Sequence, residues 1–235
     1  MRRAIAVLAF VPLIVFAAQA SAATILVDDF SAGTDFTVAN GTVNFVGTGP
    51  IGGSRQIVIA SVFGSNSTKL DALDPGGAGT LRVATTGFSD TFIRWGTFDS
   101  ANGNQLNLAL ASTATVELLF DSYALGGGDA GGGNDGIFLK LRDGVGGILG
   151  YTVPGATLTS LSTSNGGLLS IPIASFVGTF NGELDGLDVG FDDRDQTLVL
   201  TEVRLVTSAV PGPGSLALML LGAAGAIARR RSRRS

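Results

Sequence analysis

The chain contains no cysteine and no histidine. Without cysteine there is no disulfide staple, no thiolate nucleophile and no thiolate metal site. Without histidine there is no Ser-His-Asp triad, and zinc or iron centres built on imidazole are excluded. Enzymatic chemistry would fall to carboxylates, as in glycoside hydrolysis, yet nothing in the spacing of Asp and Glu marks a pair. Large polar aromatics are scarce too, with one tryptophan and two tyrosines. Positive charge is almost missing from the body of the chain. Between Ala23 and Ala209, eight lysines and arginines stand against all nineteen aspartates and glutamates, a net charge of −11. Such a body has no basic stripe with which to displace counterions from phosphate, so nucleic acid is not an expected partner.

Apolar residues make up 45% of the chain, and in the body they alternate with polar ones, which an acidic disordered segment would not show. In DGIFLKLRDG, Ile137, Leu139 and Leu141 share one face, and Phe138, Lys140 and Arg142 the other. In TATVELLFDSY, Val116, Leu118 and Phe120 face one way, while Thr115, Glu117 and Asp121 face the other. SRQIVIASV, GTLRVATTG, DTFIRWGTF and QTLVLTEVRLV have similar length and strand-forming composition. Period two with frequent turn residues predicts half-buried antiparallel strands, and no stretch of the body shows a helical stripe. Many short strands at regular spacing predict an all-β antiparallel sandwich of the jelly-roll kind. The body is long enough to bury one core without disulfides, so one domain is expected.

Two acidic stretches have oxygen ligands of the kind calcium takes. Residues 130–138, AGGGNDGIF, fit the nonapeptide pattern G-G-x-G-x-D-x-U-x except at Ala130, with Asp135 as the carboxylate. Such repeats bind calcium between stacked copies, and a single copy reads more simply as a Gly-rich loop. In DVGFDDRD, Asp192, Asp193 and Asp195 cluster at a turn, with Arg194 among them. Asp28 and Asp29 would join them if the terminal strands pair. Otherwise these acids are solvated surface, and no cofactor is required. Trp95, Tyr123 and Tyr151 are the candidates for stacking on sugars, although Trp95 sits in an alternating strand and reads also as core.

The two ends carry targeting signals. Arg2 and Arg3 precede a short apolar run, Ala4 to Ala18, and Ala20-Ser21-Ala22 supplies small residues at a cleavage site. Residues 1–22 therefore read as a secretory signal peptide, with the mature chain starting at Ala23 and a β-domain over residues 23–209. Residues 210–235 hold Val210-Pro211-Gly212-Pro213, then an apolar segment from Leu216 to Ala228, then Arg229, Arg230, Arg231, Arg233 and Arg234. This order resembles the PEP-CTERM sorting signal of Gram-negative bacteria, with Gly212 where that family usually has glutamate. The resemblance implies export, a transient inner-membrane intermediate, processing by an exosortase-type membrane protease, and delivery to the cell surface or extracellular matrix. The apolar segment predicts a short transmembrane helix, below the roughly twenty residues that span a bilayer comfortably. The arginines would stay cytoplasmic and hold the motif at the outer face. A permanent tail anchor is the rival reading.

The body carries a second resemblance. Asp28, Asp29 and Phe30 open it, and Ile171, Pro172 and Phe176 precede the last strands. This order is similar to jelly-roll modules of the galactose-binding-like type, among them carbohydrate-binding modules. The resemblance implies a jelly roll and, with the sorting signal, an exported non-enzymatic surface or matrix protein that binds exopolysaccharide. The alternative is a carboxylate-dependent carbohydrate-active enzyme.

Overall fold

The computed structural model describes residues 23–46, 50–72, 79–96, 105–129, 136–192 and 194–207. They lie within one compact unit, Ala23–Ser208. The expected signal peptide and sorting signal, including Val210, Pro211, Gly212, Pro213, Arg229, Arg230 and Arg231, fall outside the described residues. Among the described residues, no helix is long and apolar enough to cross a membrane.

The described residues build fourteen strands and one α-helix. In order they are β1 (Ala23–Asp28), β2 (Phe36–Val38), β3 (Gly41–Val46), β4 (Ser54–Asp71), β5 (Thr80–Gly96), β6 (Leu108–Ala109) and β7 (Thr115–Asp129). Then come β8 (Gly136–Arg142), β9 (Ile148–Thr152), α1 (Gly155–Thr163), β10 (Gly167–Pro172) and β11 (Val177–Gly178). Last are β12 (Glu183–Leu184), β13 (Gly186–Asp192) and β14 (Arg194–Thr207). Every pairing between them is antiparallel.

The architecture is an antiparallel β-sandwich of the jelly-roll type, as the alternation predicts. Its hydrogen-bonded path, β10-β7-β14-β5-β13-β8-β9-β11, runs through both layers because β5 is shared. The first half of β5, Leu81 to Thr85, pairs with β14. Its second half, Thr91 to Gly96, pairs with β13. β4 follows β5 along almost its whole length. The ladder is interrupted by a bulge between Ser61 and Phe63, beside the Gly64–Gly87 pair. A Cβ on Gly64 would lie 1.8 Å from the carbonyl oxygen of Thr86, so only glycine allows the two backbones to close there. Bulges and close glycines let a long strand bend from one layer into the other.

The side chains between the layers form one buried cluster. It joins Leu81, Leu118, Leu198 and Leu205 of the first layer to Ile57, Ile93, Leu139, Leu141 and Val189 of the second. Ile137, Leu139 and Leu141 on β8 and Val116, Leu118 and Phe120 on β7 all point into it, as their spacing requires. Burial of this apolar surface is the main favourable contribution to folding, at roughly 25 cal/mol per Å² removed from water.

α1 departs from the sequence expectation of no helix. It follows Pro154, whose φ of −59° suits the entry to a first turn. It ends at Asn165 and Gly166, both at positive φ, where the Gly166 amide donates to the Leu161 carbonyl. Only Leu158 and Leu161 are buried, among threonine and serine. Ser162 Oγ also accepts the Leu125 amide and so ties the helix to β7.

Candidate functional site

The face of the second layer turned away from the core has three ordered rows. Register places Gly150, Lys140, Asp188, Arg94 and Gln56 side by side on β9, β8, β13, β5 and β4. The next row holds Thr152, Phe138, Gly190, Phe92 and Val58. The third row includes Gly136 and Asp192. The first row sets Asp188 between two cations with an amide beyond, the second is aromatic, and the third carries a second acid, Asp192.

Glycine sets the relief of this face. A Cβ on Gly190 would lie 2.1 Å from the Phe138 ring, so that ring lies across bare backbone. It meets Phe92 edge-on, with centroids 5.5 Å apart. Lys140 Nζ stands 4.9 Å from the Phe138 centroid, and the Arg94 guanidinium 5.7 Å from that of Phe92, both within cation–π range. A Cβ on Gly150 would meet nothing within 4 Å, which leaves open space between Lys140 and Val177. That space belongs to a groove of about 500 Å³ lined by Phe138, Lys140, Gly150, Tyr151, Thr152 and Asp192, with Val177 at its rim.

Asp188 is the unusual group. Its side chain is nearly fully buried, and Oδ2 lies 3.6 Å from Arg94 Nε, an ion pair longer than a hydrogen bond. Its Oδ1 has no hydrogen-bond partner among the described residues. Burial pushes its carboxyl above the usual carboxylate range, against the pull of Arg94, Lys140 and Arg142. Along the same row, Arg94 Nη1 donates to Gln56 Oε1 at 3.4 Å, and Gln56 Nε2 donates to Asn44 Oδ1 at 2.9 Å. A buried acceptor with an unused lone pair, beside oriented donors and apolar rings, suits a ligand that offers hydroxyl donors and C–H faces together.

The residues singled out from sequence land in different places. Tyr151 contributes to the groove wall, but its ring packs on the core side of β9, opposite Leu139 in register and 5.4 Å from the ring of the buried Phe176. Asp192 lines it as well. Trp95 and Tyr123 do not, because both are fully buried. Trp95 Nε1 donates to Asp28 Oδ2 at 2.8 Å, and Tyr123 Oη donates to Gln196 Oε1 at 3.1 Å. Each is a core aromatic whose polar atom is satisfied inside the protein, so neither is a sugar platform.

The terminal strands β1 and β14 do pair, but the register sets Asp28 opposite Val203, well along the strand from Asp195. Asp28 is instead the hub of a buried polar cluster. Arg55 Nη1 donates to both of its oxygens, at 2.9 and 2.8 Å, and the Phe30 amide donates to Oδ1. Its oxygens are thus engaged within the protein, away from the other calcium candidates. Asp29 holds a local turn by accepting from the amide and hydroxyl of Ser31. Asp195 Oδ1 accepts the Gly87 amide at 3.0 Å. Asp135 and Asp193 lie outside the described residues. Among the described residues, no three acidic side chains converge as a metal site would require.

The β8–β9 turn beside the groove is held by Asp143. Its carboxylate accepts the amides of Val145, Gly147 and Asn181. Desolvation acts to raise its pKa, but the amide donors outweigh it and hold the carboxyl below its ordinary value.

No protein-family model and no curated protein matches the chain. Among solved structures it is similar to the family 11 carbohydrate-binding module of the cellulosomal cellulase Lic26A-Cel5E of Clostridium thermocellum. The two share 11% identity over 80% of this chain and 96% of that one, with a TM-score of 0.40. The same family's module from that organism, in complex with a β-1,3-1,4-mixed-linked tetrasaccharide, shares 15% identity over 72% of this chain and 98% of that one, at a TM-score of 0.38. A solution structure of CtCBM11 shares 13% over 81% of this chain and 98% of that one, at 0.42.

Sequence reasoning missed Asp188, Gly150 and Gly190 as site residues. No motif joins them, because Asp188 and Gly190 on β13 meet Gly150 on β9 only through the register of β8 between them. The one signal was the outer-face grouping of Phe138 with Lys140, which the alternation on β8 already showed.

Proposed function

We propose that this is an exported, non-enzymatic protein that binds polysaccharide in the groove on the outer face of the second layer. The observation that carries the proposal is the placing of Phe138 and Lys140 beside the open space over Gly150, with Asp192 lining the same groove and the buried Asp188 next to Lys140 in register. Sugar rings present C–H faces to aromatic side chains and hydroxyls to charged ones, and this row order offers both. One similar module, in complex with a tetrasaccharide, is in keeping with that reading.

Hydrolysis is the weaker reading. A carboxylate pair for glycoside cleavage stands about 5 to 10 Å apart. Asp188 and Asp192 are four residues apart on one strand, or about 13 Å along it. That separation favours holding a polymer over cutting it.

The test fills the groove without straining the fold. Gly150→Val adds its side chain where a Cβ meets open space, and Gly150 is outside the positive-φ set. In affinity electrophoresis against a panel of soluble polysaccharides, the full-length protein should be retarded by at least one polymer. Gly150→Val should weaken that binding about tenfold or more, with its melting temperature within a few degrees of the parent's. Retention of full binding by the variant would remove the groove from the proposal.

Export and sorting rest on residues 1–22 and 210–235. The protein recovered from the medium or surface of its native host should have an intact mass that starts at Ala23 and lacks Arg229 to Arg234. A mature form that keeps the arginine cluster and stays in the inner membrane would make the tail an ordinary anchor.

A further inference from the structure

Resting on the groove as a polysaccharide site, we infer that its ligand is an acidic polysaccharide, with a uronate carboxylate seated at Lys140. The distribution of charge carries the inference. The body has eight cations and a net charge of −11, yet three of the eight, Arg94, Lys140 and Arg142, surround one carboxylate on this face. Arg94 engages Asp188 at 3.6 Å and Gln56 at 3.4 Å. Lys140 makes no ion pair among the described residues, and its ammonium leans over the Phe138 ring at the wall of the groove. An ammonium over an aromatic face is half-desolvated and has donors to spare, which is how a point cation is presented to an anion.

The order of rows gives the sugar an orientation. On β8 and β13 the sequence across the face is Lys140 with Asp188, then Phe138 with Gly190, then Asp192. A uronate ring over Phe138 points its carboxylate toward Lys140 and its hydroxyls toward Asp192. The reverse placement would set the uronate against Asp192, whereas the carboxylate beside Lys140, Asp188, is buried and already engaged by Arg94. The acidity of the rest of the body does not cancel this local preference. Charges more than about 8 Å away are largely screened at physiological ionic strength, whereas a cation in the groove wall is not. An acidic body with one cationic strip also disfavours loose adsorption of polyanions elsewhere on its surface.

The experiment compares polymers that differ in the carboxylate alone. Full-length protein is run against alginate and polygalacturonate, their carboxyl-reduced derivatives, a neutral mixed-linkage glucan, and dextran sulfate. A polyuronate should bind, and reduction of its carboxyls should weaken binding about tenfold or more. Lys140→Gln should lose a similar factor on the polyuronate and little on the reduced polymer, while Lys140→Arg should restore most of it. Binding of neutral polymers alone, abolished by Gly150→Val, would keep the groove as a polysaccharide site and overturn the acidic ligand. Polyuronate binding indifferent to Lys140→Gln, or matched by dextran sulfate, would reduce the effect to ion exchange and overturn it too. Failure to bind any polymer would overturn both readings.

Discussion

Asp28→Ala is expected to destabilise the sandwich by about 3–5 kcal/mol, the cost of stranding a buried charge whose partner has been removed. Asp28 and Arg55 are both almost fully excluded from solvent, and their closest contact is 2.8 Å. Removing the carboxylate leaves the Arg55 guanidinium facing the Phe30 ring, with Nη2 donating to the Ala32 carbonyl at 2.6 Å. It also strands Trp95 Nε1 and the Phe30 amide. Phe30 sits at φ 57°, a left-handed conformation that costs a non-glycine residue energy and is held by that amide bond. For a domain of this size the loss should lower the melting temperature by about 10 °C or more. Two variants separate the mechanism from general damage. Asp29→Ala removes only turn bonds and should cost under about 1 kcal/mol. Asp28→Ala combined with Arg55→Met should recover part of the loss, because the guanidinium is the group left without compensation. A melting temperature for Asp28→Ala within two degrees or so of the parent's would sink this account.

That cluster also explains what could be read from the chain and what could not. The Asp28-Asp29-Phe30 stretch stood out as an opening element, and it is one, but its chemistry is structural. Asp28 binds Arg55 and Trp95, which lie on β4 and β5 far along the sequence. Period-two alternation placed the core face of β7 and β8 correctly because one face of each strand is buried and a slip of one residue would invert it. It could not show that β4 and β5 bend through both layers. The signal for that is a bulge and a glycine pair, and glycine is common throughout the chain. Nor could it show α1, where two buried leucines three residues apart fall short of a helical stripe. Trp95 and Tyr123 were attractive as sugar platforms because polar aromatics are rare here. The structure uses both as satisfied core residues, and the groove relies on phenylalanine and on glycines whose value lies in an absent side chain. Such a site has no spacing signature, since Gly150, Lys140 and Asp188 are aligned by strand register alone.

Asp188→Asn should separate stability from binding. A carboxylate whose folded pKa is raised makes its stabilising contribution below its unfolded pKa, near 3.9, and loses it as pH rises through the folded value. Ionising the buried Asp188 is therefore a cost to the fold, only partly relieved by Arg94, Lys140 and Arg142. The neutral amide removes that cost. The variant should be more stable than the parent at pH 7 and show no such gain at pH 3, below the parent's raised pKa. Asp143 has the opposite sign, because its lowered pKa contributes stability above its unfolded value and loses it on acidification. It is present in both proteins, so the difference between their pH profiles isolates Asp188. Binding should move the other way. A charged acceptor to a sugar hydroxyl contributes about 1.5–3 kcal/mol, so the amide should weaken polysaccharide binding about 10- to 100-fold at pH 7. A group retained at a cost to the fold and needed for the ligand is the mark of a working site. If Asp188→Asn lowered the melting temperature at neutral pH and left binding unchanged, Asp188 would be an ordinary partner of Arg94, and the site would have to be sought on another face.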